Sequence, residues 1–168
     1  MTENDMPVFR FAVREDLKDM AGHFLPKKAE SGSAGWDVRC AQKDRKPITL
    51  RSGQYARIEL GFRTIPPPGW WIDLRPRSST FAKKSLHYLI GTLDFSWRGE
   101  NAYACQYIPD INSLGKDLTL EFGEAIGQII PVRMQDMMVQ GISNEEYDEF
   151  CKTETNERGN KGWGSTGR

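Results

Sequence analysis

Asp94 stands between Leu93 and Phe95 in the run Gly91-Thr92-Leu93-Asp94-Phe95-Ser96-Trp97-Arg98-Gly99-Glu100. A carboxylate among apolar neighbours is costly to bury unless something pairs with it or uses it. Desolvation there would raise its pKa toward that of a working general base. Trp97, three residues on, offers a flat apolar wall for a sugar or a base. The same segment also reads as a hairpin in which Asp94 caps a turn and Trp97 is core. Arg75-Pro76-Arg77-Ser78-Ser79-Thr80 supplies two guanidinium forks and three hydroxyls after an apolar run, the donor set a phosphate needs. A solvated turn fits it equally. Gln128 puts an uncharged amide in an apolar stretch, where it needs partners. Asp37, between Trp36 and Val38, is ambiguous in the same way. The last twelve residues, Glu157 to Arg168, hold four glycines and a lone Trp163. With Arg158, Ser165 and Thr166 they have the parts of a nucleotide clamp, an aromatic for the base and donors for phosphate. A tail with no element of its own is the other reading.

The elements that must position these residues are short. The 168 residues suffice for one domain with a real core. Val8–Val13, Trp36–Cys40, Ile48–Leu50, Tyr55–Phe62, Trp70–Leu74, Leu86–Leu93, Ala102–Ile108, Leu118–Phe122 and Ile126–Arg133 read as strands, separated by glycine, proline and serine turns. Glu15 to Phe24 reads as a short helix or irregular turn. Many short strands and one weak helical segment predict an all-β barrel or sandwich. The expected division is a β domain over residues 1–156 and a flexible arm over 157–168.

Lysine plus arginine equals aspartate plus glutamate at 23 each, so no global field recruits nucleic acid or membrane. An anionic ligand must be held by local groups. Three widely spaced cysteines and two distant histidines argue against a disulfide framework and a zinc site. No apolar run approaches membrane-spanning length, and the first residues do not resemble a signal peptide, so a cytoplasmic location is expected. No P-loop, dinucleotide fingerprint or Ser-His-Asp order occurs.

The order of the stretches is more specific than any one of them. Ala34-Gly35-Trp36-Asp37, Pro76-Arg77-Ser78-Ser79, Gly91-Thr92-Leu93-Asp94 with Arg98-Gly99-Glu100, Gly123 with Ile126-Gly127-Gln128, and Arg158-Gly159 with Gly162-Trp163-Gly164-Ser165-Thr166-Gly167 resemble the five motifs of the homotrimeric dUTPase (deoxyuridine triphosphatase) family. The resemblance implies a jelly-roll-like β fold and a homotrimer whose active sites each draw residues from three subunits. It implies magnesium-dependent hydrolysis of dUTP to dUMP and pyrophosphate, the metal being held by substrate phosphates and water rather than by protein ligands. Carried over, Asp94 would activate the attacking water. Arg77, Ser78 and the Ser79 backbone would hold the pyrophosphate side, Gln128 would contact phosphate oxygens, and Asp37 would support the site through ordered water. Arg158, Ser165 and Thr166 would fold over the γ-phosphate while Trp163 stacks on the base.

The departures cluster around base and sugar recognition. Trp97 stands where the family has a tyrosine beneath the deoxyribose. The stretch from Ser78 to Asp94 is shorter than usual and lacks the asparagine of the uracil-reading hairpin. Ala125 and Lys161 replace an arginine and a glycine of the last two motifs. The same chemistry on dTTP, dCTP or a 5-substituted dUTP is therefore the alternative, with a non-catalytic regulatory member behind it. Deamination, the activity of a related family, is disfavoured because Asn101–Tyr107 carries no carboxylate.

Overall fold

The computed structural model describes residues 6–89 and 91–153. Among them the chain forms antiparallel strands in four sheets. β1 (Arg10–Val13) pairs with β5 (Phe62–Ile65), and β3 (Ile48–Leu50) with β10 (Leu118–Leu120). A four-stranded sheet runs in the order β2 (Trp36–Arg39), β11 (Ala125–Arg133), β6 (Trp70–Pro76), β8 (Gly91–Leu93). A three-stranded sheet runs β4 (Tyr55–Glu59), β9 (Ala102–Tyr107), β7 (Leu86–Tyr88). This is the expected all-β, jelly-roll-like sandwich. The run Leu86–Leu93, expected as one strand, is two: β7 and β8 belong to different sheets.

Alternation explains the layers. In β5, Phe62 and Thr64 are buried while Arg63 and Ile65 face out. Val38, Leu50, Ile58, Ile72, Leu74, Leu86, Tyr103, Leu120 and Ile126 form one apolar core. Across it the rings of Tyr88 and Tyr103 stack with centroids 4.5 Å apart. Two glycines make room for them. A Cβ at Gly91 would lie 2.0 Å from Tyr88 Oη, and one at Gly127 would lie 2.8 Å from Tyr103 Cε2. Burial drives the ionisation of both phenols well above the ordinary tyrosine range.

The hydroxyl-rich stretch after β6, for which a solvated turn is one of two readings, opens a helix, α2 (Ser78–Lys84), following α1 (Ala21–Phe24) in the chain. Thr80 is buried there and its Oγ1 donates to Ile126 O at 2.7 Å, fastening the helix to β11. Ser85, at φ 50°, ends it in the left-handed region. Lys84 pairs with Glu124 on the far side.

The chain falls into two compact units, Met1–Gln135 and Asp136–Arg168. In the second, the acidic stretch around Glu145 forms α3 (Asn144–Thr153). Its start is a reciprocal capping box: Ser143 N donates to Glu146 Oε2 at 2.8 Å, and Glu146 N donates to Ser143 Oγ at 3.1 Å. Among the described residues no helix is long and apolar enough to cross a membrane.

Candidate active site

Two clusters gather the predicted site residues. The first lies across β2, β11 and β6. Register sets Gln128 opposite Asp37 on one side and opposite Arg75 on the other. Arg77 stands at the N-terminal boundary of α2, and its Nε reaches Asp37 Oδ1 at 3.2 Å. Asp37 is thus held by a guanidinium directly. Gln128 Nε2 donates to Pro76 O at 3.0 Å, which satisfies half of the amide's donor capacity and leaves one N–H for a ligand. Gly35, at the start of the first motif, touches the other end of that amide. A Cβ there would fall 2.3 Å from Gln128 Oε1. Ser78, exposed, and Ser79, half-buried, open α2 beside Arg77. Arg75 is partly spent, because its Nε donates to Asp73 Oδ2 at 2.6 Å.

The second cluster surrounds Asp94. Thr92, Leu93, Asp94, Trp97, Glu100, Arg57 and Ala102 line a cavity of about 280 Å³. Asp94 is exposed at its rim, not buried in the apolar setting that Leu93 and Phe95 suggested. Its backbone O accepts from Trp97 N at 3.1 Å, closing a turn that carries both residues. The Trp97 indole is 45% exposed and packs over Gly99, where a Cβ would sit 2.3 Å from Trp97 Cζ2. Only glycine leaves room for the ring there. Tyr88, at the end of β7, has its hydroxyl buried and its ring against Tyr103.

Arg57 was not singled out from the sequence. It is exposed on β4 between Ala56 and Ile58, and the alternation that buries Ile58 turns Arg57 outward. That period-2 signal was available, but the strand pairing that brings β4 beside the Asp94 turn was not.

The clusters are separate. Extending the register by one step puts Asp94 level with Trp71, whereas Gln128 is level with Arg75. Four residues along β6 and two strand spacings across it separate Asp94 from Gln128 by roughly 16 Å. Arg158, Trp163, Ser165 and Thr166, with the whole proposed arm 157–168, lie outside the described residues. Among the described residues no group of three or more His, Cys, Asp or Glu side chains could hold a metal ion.

No family model matches the chain. Curated relatives do. It is 33% identical over 146 residues to the deoxyuridine 5'-triphosphate nucleotidohydrolase of Fusobacterium nucleatum, covering 86% of this chain and 90% of that one. It is 34% identical over 160 residues to the enzyme of the same name from Bartonella bacilliformis, covering 90% and 87%. Among solved structures, the dUTPase of Staphylococcus bacteriophage 80alpha with dUpNHpp matches at a TM-score of 0.70 and 18% identity, over 96% of this chain and 99% of that chain. A mutant dUTPase from phage phi11 of S. aureus, described with a structural Mg(II) ion, matches at 0.66 and 14% over 82% and 97%. These structural likenesses bear on the fold.

Proposed function

This chain belongs to the deoxyuridine 5'-triphosphate nucleotidohydrolase family, and from that premise we propose that it hydrolyses dUTP to dUMP and pyrophosphate. The observation that carries the reading is the Asp94 turn. It presents a carboxylate at the rim of a cavity walled by an open indole face, with Arg57 alongside. In this reading Asp94 takes the proton of a water attacking the α-phosphorus. Trp97 walls off the sugar, and Arg77, Ser78 and Gln128 hold the departing pyrophosphate side. Such a displacement needs positioning and charge neutralisation more than covalent help.

The roughly 16 Å between the Asp94 and Gln128 clusters supports a shared site. A homotrimer that sets the Arg77 cluster of one copy against the Asp94 cavity of another would close the gap. The arm 157–168, with Arg158, Trp163, Ser165 and Thr166, would complete the enclosure. Magnesium carried in on the triphosphate would neutralise phosphate charge. The open cavity at Asp94 leaves room for the water shell of such an ion.

A second reading has its own observation. Tyr88 is packed into the core, and Trp97 is the aromatic of the cavity that Asp94 shares with Arg57. That supports room at the base for another pyrimidine deoxynucleotide.

Asp94→Asn tests the principal reading. The amide keeps the shape and removes the base, so turnover should fall by several powers of ten while binding of a non-hydrolysable dUTP analogue persists. Near wild-type turnover would return Asp94 to the role of a turn residue.

A further inference from the structure

Arg14 carries none of the motif residues, yet it makes the densest polar contacts in the described chain. It follows β1 directly. Nε donates to Asp16 Oδ1 at 2.6 Å and Nη2 to Asp16 Oδ2 at 3.0 Å. Nη2 also donates to Ala41 O at 2.8 Å. Nη1 donates to Glu59 Oε2 at 2.9 Å and to Glu100 Oε1 at 2.8 Å. A guanidinium has five N–H donors, and all five are used. The side chain is only 15% exposed, and the hydrogen bond to Asp16, followed by the nearby carboxylates, holds its pKa above the ordinary arginine value.

Glu100 is where this network meets the site. Its Oε1 also accepts from Gly61 N at 3.2 Å, and the next residue, Asn101, is buried and donates through Nδ2 to Thr64 Oγ1 at 2.6 Å. The far end of the Asp94 turn is therefore fastened to the Gly61–Thr64 segment. The near end is fastened by the pairing of β8 with β6. Between these anchors the turn is closed by the bond from Trp97 N to Asp94 O, and the Trp97 ring packs on Gly99. Glu100 itself lines the cavity that Asp94 rims.

We infer that Arg14 is a positioning residue for the hydrolysis, acting through Glu100 to fix the turn that presents Asp94. The inference rests on the reading of Asp94 as the base. All five Arg14 donors are spent on protein acceptors, so it has none to offer a substrate. It determines whether the carboxylate stands where the water does, and a displacement on the order of 1 Å at a reacting group costs about a hundredfold in rate.

The test is a set of variants assayed with dUTP and magnesium well below each variant's melting temperature, with the fold checked by circular dichroism. Arg14→Met keeps the stem and removes all five donors. Its kcat should fall about a hundredfold, with affinity for a non-hydrolysable dUTP analogue within about threefold of wild type, because the base contacts water rather than bound nucleotide. Arg14→Lys should recover part of the loss, since an ammonium still reaches Glu100 without the fork. Should Arg14→Met fail to fold, Glu100→Gln weakens the same link while keeping its shape, and a loss in kcat with unchanged affinity supports the inference equally. Placing either substitution in Asp94→Asn should add no further loss. A wild-type kcat in folded Arg14→Met and Glu100→Gln overturns the inference, as does an undiminished loss in the Asp94→Asn background. Asp94→Asn alone, if active, sinks the underlying reading, and the inference with it, whatever Arg14 does.

Discussion

Gly35→Ala is the sharpest probe of the Gln128 cluster. The new Cβ would stand 2.3 Å from Gln128 Oε1, 3.0 Å from its Cδ and 3.1 Å from its Cβ. All three atoms belong to one side chain, so that side chain must swing away. Doing so breaks the 3.0 Å bond from Nε2 to Pro76 O, about 1 kcal/mol by itself. Residual crowding against β11 adds about 1 kcal/mol, the low end for overpacking, because part of the strain is relieved by rotation. A loss of about 2 kcal/mol in a chain of this size lowers Tm by roughly 4–8 °C. If the amide serves phosphate as proposed, kcat/KM also falls by about tenfold, the value of one charge-assisted hydrogen bond of about 1.5 kcal/mol. Gly32→Ala, three residues earlier, meets nothing within 4 Å and is the control. Calorimetry and steady-state kinetics on the pair decide the matter. A Gly35→Ala protein that melts and turns over like Gly32→Ala would refute the placement of Gln128 against Gly35.

Thiol titration should find one fast-reacting cysteine per native chain. Cys151 is exposed, whereas burial pushes the Cys40 thiol up to about 12 and Cys105 up to about 11, leaving almost no thiolate at neutral pH; three fast thiols without denaturant would contradict the packing. Arg14 holds the Asp16 carboxyl below its ordinary 3.8, mainly by the hydrogen bond between them. The stability this contributes is present above that ordinary value and is lost as pH falls through the lower folded value. Asp16→Asn should therefore melt below wild type at pH 7, with the gap closing on acidification; a gap constant with pH would show that the charge is irrelevant. Competition of dTTP, dCTP and 5-hydroxymethyl-dUTP against dUTP should find at least one rival within about a thousandfold in kcat/KM, roughly 4 kcal/mol of discrimination. Every rival more than ten-thousandfold slower would mean that the hairpin has been rebuilt to read uracil alone.

The strands and the motif order were legible because both live in local pattern. Period-2 burial in β4 and β5 and the punctuation by Gly53, Gly69 and Gly123 are written within a few residues of each element. What escaped was long-range or reciprocal. Ser78–Thr80 reads equally as a turn because serines favour turns; its helix is secured by Thr80 bonding a carbonyl 46 positions away. The Ser143–Glu146 box is a local signal, reciprocal between two side chains three residues apart. Nothing local singles out Arg57 or Arg14, since no short-range pattern says that β4 and the end of β1 converge on the Asp94 turn. The resemblance implies sites shared among subunits, but which motif residues part company, Asp94 on one side and Arg77 and Gln128 on the other, is not written in motif order, which records sequence and not the strands that intervene.

Tyr88 and Gly91 occupy one volume between them: the phenol oxygen fills the place a methyl would take. That makes the order of inherited change matter. A lineage that loses the hydroxyl first, by Tyr88→Phe, frees the space into which Gly91→Ala then fits. One that gains the methyl first must pass through an overfilled core directly behind the strand leading to Asp94. The order of change at these two positions is thus fixed, and the glycine stays where it is for as long as the tyrosine does.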